Sequence, residues 1–347
     1  MLNTFNLGKK ENPGIVPRAI EQIFSKYFEN IGKEPLVKVV KGDINILNDN
    51  QKDQEKQLNL QFFNDEKKVF SKYEKIKNII KNENDFEVDL KDNKSVFIWV
   101  SFIEIHNENV YDLLSRFNDN DKVKRKKLTI RKNGCNVFIK DLTSVFVTSA
   151  AEAYELLNIA FERISFASTA INMNSSRSHV IFMIDIIVYW KYQNFMWIKY
   201  NFCDLAGSER CKKAETSGDR LIEAQRINNS LLALGRCLDS VYNSQHKKTT
   251  DMVPIRDSKL TTILQGSLLG KEKFTMIVNL QPNTDFFEEN IDTLNFASIA
   301  KKIVHKKIKN RAKRITRYSL LNAQLTCSPA NSTLQQEIEM LLNEIHG

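Results

Sequence analysis

Asn172-Met-Asn-Ser175-Ser176-Arg177-Ser178-His179 and Asp204-Leu-Ala-Gly207-Ser-Glu209 bracket an apolar region of the chain. That region reads as two long strands, Ser178–Tyr192 and Asn194–Cys203, joined by a tight turn. An aspartate at the end of a buried strand is placed to hold a Mg²⁺ ion through water, as in phosphate-handling folds. A glycine just beyond it lets a backbone N–H reach a phosphate with no side chain in the way. Neighbouring serine hydroxyls can ligate Mg²⁺ and position a water. Arg177 and Glu209 carry opposite charges on the two loops and can pair across them. Taken singly, a serine-rich loop is a turn and an aspartate after a strand is a helix cap. Both strings, in this order and on these elements, point to a pair of phosphate-sensing loops.

Working outward, Asp219–Tyr242 reads as a long helix with an apolar face at Ala224, Ile227, Leu231, Leu234, Leu238 and Val241. Ser149-Ala-Ala-Glu152 is a capping-box pattern that opens a helix running to about Phe166. Ser95–Ile105, Val137–Val147 and Phe274–Leu280 read as strands, and residues 14–30 and Glu289–Val304 as helices. Residues 31–94 are rich in Asn, Asp, Lys and Glu, and read as a long insertion, partly ordered at most. Interleaved strands and helices give an α/β head with a central mixed sheet flanked by helices.

On these strings the chain resembles the kinesin motor domain. Asn172–His179 is similar to the first nucleotide switch of that family and Asp204–Glu209 to the second. Arg220-Leu-Ile-Glu-Ala-Gln-Arg-Ile-Asn228-Asn-Ser230-Leu-Leu-Ala-Leu-Gly235 resembles its relay helix. Val253-Pro-Ile-Arg256-Asp257-Ser258-Lys259-Leu260-Thr261 and Thr293-Leu-Asn-Phe296-Ala297 resemble its microtubule-binding loop and last head helix. Gly14-Ile-Val-Pro17-Arg18-Ala19 and Glu104-Ile-His-Asn107-Glu108-Asn-Val-Tyr111-Asp112 match further segments in register. The similarity runs from about residue 13 to 305, broken by the insertion 31–94, so residues 1–305 read as one partial head, and the position of the insertion resembles that of the sixth, mitotic kinesin group. The resemblance implies ATP and Mg²⁺ as ligands. Ser176 would ligate the metal, and Asp204 would support it through water. Ser175 and Asn172 would contact phosphate or the attacking water. Gly207 would sense the terminal phosphate, and Arg177–Glu209 would form the latch. Lys247, Lys248, Arg256 and Lys259 would face the acidic surface of tubulin. The location implied is the cytoplasm and its microtubules, including the spindle.

The chain has 347 residues, 42% hydrophobic and 27% charged, enough for a large soluble core. Its apolar runs are too short to span a bilayer, so no membrane partner is expected. Its five cysteines form no Cys-x-x-Cys pair, so no zinc site is expected. The net charge is +9, and the stretch 301–317 holds nine Lys or Arg and no acid, which accounts for the whole excess. Residues 306–332 read as a basic linker that can also serve as a nuclear import signal. Leu334, Ile338, Leu341 and Ile345 within 333–347 begin a seam that can pair two chains. No string of the form Gly-x-x-x-x-Gly-Lys-[Ser/Thr] occurs; the nearest is Gly266-Ser-Leu-Leu-Gly270-Lys271. The expectation is therefore a head whose phosphate loop, and the strands around it, lie in a longer product. A nucleotide-independent microtubule-binding protein, or a non-functional fragment, is the alternative. Binding of nucleic acid through 301–317 ranks last, because no aromatic stacking platform accompanies the basic run.

Overall fold

The computed structural model describes residues 8–9, 12–63, 66–81, 94–115, 127–134, 136–171, 178–190, 194–207, 219–246, 252–303 and 313–314. In chain order the strands are β1 (Gly8–Lys9), β2 (Asn12–Pro13), β3 (Val37–Val40), β4 (Asp43–Ile46), β5 (Lys94–His106), β6 (Asn109–Asp112), β7 (Lys127–Asn133), β8 (Asn136–Lys140), β9 (Val145–Val147), β10 (His179–Trp190), β11 (Asn194–Asp204) and β12 (Lys313–Arg314). The helices are α1 (Ile15–Tyr27), α2 (Asp49–Phe62), α3 (Glu66–Lys81), α4 (Ala150–Ile171), α5 (Asp219–His246), α6 (Lys259–Ile263), α7 (Gln265–Leu268) and α8 (Phe287–Lys302).

The main sheet runs β12-β11-β10-β5-β6-β7-β8, with β9 also on β5. Helices cover both faces of its centre, which is why β5 and β10 are almost continuously apolar. Val96, Ile98, Val100 and Phe102 of β5, with Phe182, Ile184 and Ile186 of β10, face α1, α3 and α4. Ile103, Ile105, Ile181 and Met183 face the other way, onto α5, α6, α7 and α8. Phe102 meets Phe161 and Phe182 edge-on, with centroids 5.6 and 5.5 Å away.

The pairings among the described strands of this sheet are antiparallel, where the sequence suggests a mixed sheet; the one parallel contact is the isolated bridge Ile31↔Val96. Tight connections explain this. Asn107 and Glu108, both at positive φ, turn β5 back into β6, as a two-residue primed turn does. The 137–147 region divides into β8 and β9, separated at Asp141, whose φ is 60°. Phe274–Leu280 is not a strand. Phe274 and Met276 reach the second core, but Ile277 and Leu280 are exposed. Alternation alone does not make a strand; it needs a neighbour's hydrogen bonds. Among the described residues the outer edge of β11 is paired only at Asn194 and Phe195.

The insertion is more ordered than its composition suggests. It forms the hairpin β3–β4 and helices α2 and α3, and these pack on the head. Its few large apolar residues sit where packing needs them. Val69, Tyr73, Ile76 and Ile80 line one face of α3 and are buried in the first core, and Val37 and Leu47 are buried with Trp99 and Phe146. Trp99 donates its indole N–H to Val37 O at 2.9 Å, and Asn59 of α2 donates to Phe146 O at 2.8 Å.

Candidate functional site

His179 opens β10 and Asp204 closes β11, and the register pairs Val180 with Asp204. The described parts of the two polar strings, Ser178–His179 and Asp204–Gly207, therefore lie at the same end of the sheet, on adjacent strands roughly 5 Å apart. Asn172, Ser175, Ser176, Arg177 and Glu209 lie outside the described residues, and so does the Arg177–Glu209 latch. Of the second string, Asp204 and Gly207 are half-buried and Ala206 is buried.

The residue that joins these parts is His179, which the sequence reading placed at the end of its string without a role. It is 2% exposed. Its Nδ1 accepts the Ala206 N–H at 3.0 Å, and its Nε2 lies 2.7 Å from Ser230 Oγ on α5. A backbone N–H can only donate, so Nδ1 is the unprotonated nitrogen and Nε2–H donates to the serine. Burial pushes the imidazole down to about 4, which keeps it neutral at physiological pH. One neutral ring thus ties the start of β10, the loop after β11 and the middle of α5 together.

Beyond Ser230, α5 buries Leu234, Cys237, Leu238 and Val241 against Leu260, Ile263 and Leu268 of α6 and α7 and against Ala300 of α8. Gly235 lies beneath Phe296, where an added Cβ would stand 3.5 Å from the ring. Arg236 on α5 pairs with Asp257 at 2.8 Å. Ser258 caps α6: its Oγ accepts the Thr261 N–H at 3.0 Å, and its own N–H donates to Thr261 Oγ1 at 3.2 Å. Arg256 and Lys259 flank this cap and are exposed beside the C-terminal half of α5. Lys247 and Lys248 lie outside the described residues. The Lys259 N–H donates to Glu108 at 2.8 Å, so the β5–β6 turn fixes where α6 begins.

The sequence reading missed a second group of cations. Helix α6 packs on β7 and β8, with Leu128, Ile130 and Ile139 turned to the shared core. Strand alternation puts Lys127, Arg131 and Lys140 on the opposite face, and all three are exposed. The signal was the basic alternation in Lys127-Leu-Thr-Ile-Arg-Lys, in a segment given no element.

Gly266-Ser-Leu-Leu-Gly270-Lys271 is a helix end. Gly270 takes φ 70°, its N–H bonds Ser267 O at 3.1 Å, and the Lys271 N–H bonds Gly266 O at 2.8 Å. That is the Schellman pattern, which satisfies the last carbonyls of α7. The thiols of Cys203 and Cys237 are pushed up by burial, to about 12 and about 11, and are unreactive packing groups. The 301–317 run is described only at 301–303 and 313–314, and residues 333–347 lie outside the described residues. No helix among the described residues is long and apolar enough to cross a membrane.

Comparison with known proteins agrees with this geometry. The profile of the family described as "Kinesin motor domain" matches residues 3–303. The Kinesin-like protein subito of Drosophila melanogaster is 44% identical over 338 residues, which is 96% of this chain and 54% of that protein. The human Kinesin-like protein KIF20A is 43% identical over 211 residues, 60% of this chain and 24% of that one. The chain thus spans about half or less of the length of these curated relatives. A solved KIF14 dimer, in a two-heads-bound state with AMP-PNP in complex with a microtubule, superposes with a TM-score of 0.65 at 25% identity, covering 90% of this chain and 70% of that one. On the match of the family profile over residues 3–303 and the 44% identity to subito over 96% of its length, this chain belongs to the kinesin motor-domain family.

Proposed function

We propose that this chain is the nucleotide-sensing and microtubule-binding part of a kinesin motor of the sixth, mitotic group, working with ATP and Mg²⁺ on the microtubule cytoskeleton. The observation that carries this reading is the His179 bridge from Ala206 to Ser230. A shift in the loop after Asp204 pulls on a ring that also holds α5. Helix α5 in turn packs on the α6 segment that exposes Arg256 and Lys259.

The residues suit the ligand. A carboxylate, serine hydroxyls and a glycine N–H are the hard oxygen donors and the backbone donor that Mg²⁺ and phosphate take. Asp204, through water, and Ser176 would hold the metal. Gly207 N–H, Asn172 and Ser175 would meet the phosphates or orient a water, and Arg177 with Glu209 would close the two loops. Bound Mg²⁺–ATP would supply the phosphoryl group and screen its charge during transfer to water. Lys247 and Lys248 would continue the cationic surface, and pairing through 333–347 would give a homodimer. The basic run 301–317 would direct import into the nucleus outside division.

Co-sedimentation of the full chain with microtubules tests the reading. The chain is expected to pellet at low salt and to release as salt rises, since exposed charges are screened beyond roughly 10 Å at 0.1 M. The double reversal Arg256→Glu/Lys259→Glu is expected to raise the dissociation constant on the order of tenfold, with the melting temperature unchanged. Failure of the wild-type chain to pellet at low salt removes the proposal. Pelleting that ignores ATP, ADP and a non-hydrolysable analogue favours the second reading, a nucleotide-independent filament binder. The observation behind that reading is that the sequence contains no Gly-x-x-x-x-Gly-Lys-[Ser/Thr] string.

A further inference from the structure

The β7–β8 hairpin joins the main sheet through two residue pairs, Val110↔Leu128 and Tyr111↔Lys127. Five cross-strand pairs extend beyond that base, from Thr129↔Lys140 to Asn133↔Asn136. A two-stranded ribbon is only marginally stable by itself, and α6 packs on this one through Leu128, Ile130 and Ile139, short of its Asn133–Asn136 end. The far end of this ribbon has a second attachment, and the insertion supplies it.

Lys41 and Gly42 form the two-residue turn of the β3–β4 hairpin, with φ of 51° and 81°. The positive φ at both positions gives the primed turn that follows the twist of a hairpin. This tip rests against the end of β7–β8. The Asn133 side-chain amide donates to Lys41 O at 3.1 Å and to Asp43 Oδ2 at 2.5 Å. The Asn136 amide donates to Gly42 O at 2.8 Å. Gly42 is buried. A Cβ there would lie 3.4 Å from both Asn136 Cβ and the Phe138 ring. Those are ordinary contact distances, so it is the positive φ that favours glycine here.

The other end of the β3–β4 hairpin is fixed in the body of the protein. Val37 O takes the Trp99 indole N–H from the middle of β5. Lys38 lies 4.6 Å over the Trp99 ring, pairs with Glu55 of α2 at 2.5 Å and donates to Ser144 O at 3.2 Å. Cation–π stacking and two polar partners leave that lysine little freedom. The path from Trp99 through β3 to the β7–β8 tip therefore runs through hydrogen-bonded groups, buried at Trp99, Val37 and Gly42 and exposed at Lys41 and Asn133.

We infer that the β3–β4 hairpin of the insertion is a strut that fixes the orientation of the β7–β8 hairpin, and with it the direction in which Lys127, Arg131 and Lys140 face the microtubule. The strut is a positioning device and makes no claim on the nucleotide. Its role at the filament rests on the reading above, but its existence does not, and the two are separable by experiment.

The test compares the full wild-type chain with Asn133→Ala/Asn136→Ala, with Gly42→Ala, and with Asn136→Gln, which keeps an amide donor. Three quantities are measured: amide hydrogen exchange, melting temperature, and co-sedimentation with microtubules. In the double variant the amides of β7 and β8 are expected to exchange about tenfold faster, while those of β5 and β10 stay as in wild type, because local opening is freed without global unfolding. The melting temperature should stay within about 2 °C of wild type. The microtubule dissociation constant should rise by about three- to tenfold, a change that a merely structural contact far from the filament would not produce. Gly42→Ala should act in the same direction, and Asn136→Gln should recover part of both effects. Unchanged exchange in β7–β8 for both the double variant and Gly42→Ala overturns the strut. Faster exchange with unaltered microtubule affinity overturns its role in orienting the cations. Failure of the wild-type chain itself to pellet removes the filament part, and the exchange data still decide whether the strut exists.

Discussion

His179→Ala is expected to lower the stability of the head by about 3 kcal/mol, because it removes the acceptor of a buried backbone N–H, one partner of a buried serine and the volume of the ring. The loss should be greatest where the ring connects, at the loop after β11 and at the middle of α5. The conservative variants divide the two bonds. His179→Asn places an oxygen near the position of Nδ1, so the Ala206 N–H keeps an acceptor while the reach to Ser230 is lost. His179→Gln reaches toward Ser230 and gives up Ala206. If the ring couples loop to helix, Ser230→Ala on α5 should speed exchange of the Ala206 amide, in a segment distant in sequence. No change at Ala206 in Ser230→Ala would show that the ring packs without transmitting.

The same residue gives stability a pH dependence of definite sign. In the unfolded chain the imidazole titrates near its ordinary 6.5, and in the fold burial lowers it to about 4. Between those values the unfolded chain binds the proton and the folded chain does not. Stability from this group is therefore complete above about pH 6.5 and falls as pH drops toward 4, by on the order of 3 kcal/mol across the window. Asp112 and Asp185 are both pushed up by burial and so slope the other way in acid. Comparing wild type with His179→Asn removes their common contribution. Chemical denaturation at pH 7 and pH 5 should show a smaller acid loss in His179→Asn. Equal acid losses in the two proteins would mean that His179 is not held neutral by the fold.

The sheet's centre was legible in the sequence because burial on both faces leaves only one kind of residue acceptable. Val96–Ile105 and Val180–Val188 are apolar without alternation, and β5 and β10 lie there with their boundaries shifted by a residue or two. The capping pattern at Ser149–Glu152 was readable in part. The Glu152 N–H does bond Ser149 Oγ at 3.2 Å, but the Glu152 carboxylate reaches one residue further back, to the Thr148 N–H at 2.6 Å. The insertion was misjudged because its polar residues outnumber its apolar ones, whereas order depends on where the apolar ones fall. Val69, Tyr73, Ile76 and Ile80 recur at four, three and four residues, the spacing of one helix face, and that pattern was available to be read. Phe274–Leu280 failed in the opposite sense, having the pattern of a strand without a described partner. Of the candidate site, the strings and their order were visible, and so was the placing of Asp204 at a strand end. The partner of His179 was not, because Ser230 lies far along the chain and only the packing of α5 across the sheet end brings them together.

Tyr73→Phe is expected to cost about 3 kcal/mol, nearly all of it from what the missing hydroxyl leaves behind. Tyr73 sits on α3 within the insertion and is 3% exposed; Glu21 sits on α1 and is 4% exposed. The phenol donates a short hydrogen bond to Glu21 Oε2, and Ser25 Oγ donates to Oε1 at 3.3 Å. Burial, then the bond to Glu21, pushes the phenol above its ordinary value. The folded chain thus keeps a proton that the unfolded chain gives up, and stability from this group is lost as pH rises through about 10. Removing the hydroxyl leaves a buried carboxyl oxygen without its donor, and a one-sided break of this kind is far more costly than the net worth of the pair. The double variant Tyr73→Phe/Glu21→Met, with both polar partners gone and the volume nearly kept, should therefore recover most of the loss. Urea unfolding of the two single variants and the double measures the coupling directly. A double variant as unstable as the sum of the singles would place the stability of the α1–α3 seam in its packing, around the Tyr73–Tyr154 ring pair with centroids 5.6 Å apart, and not in the hydrogen bond. Strong coupling would instead mean that this buried bond adds to the packing that holds the insertion to α1, so that a change in α1 is felt in α3.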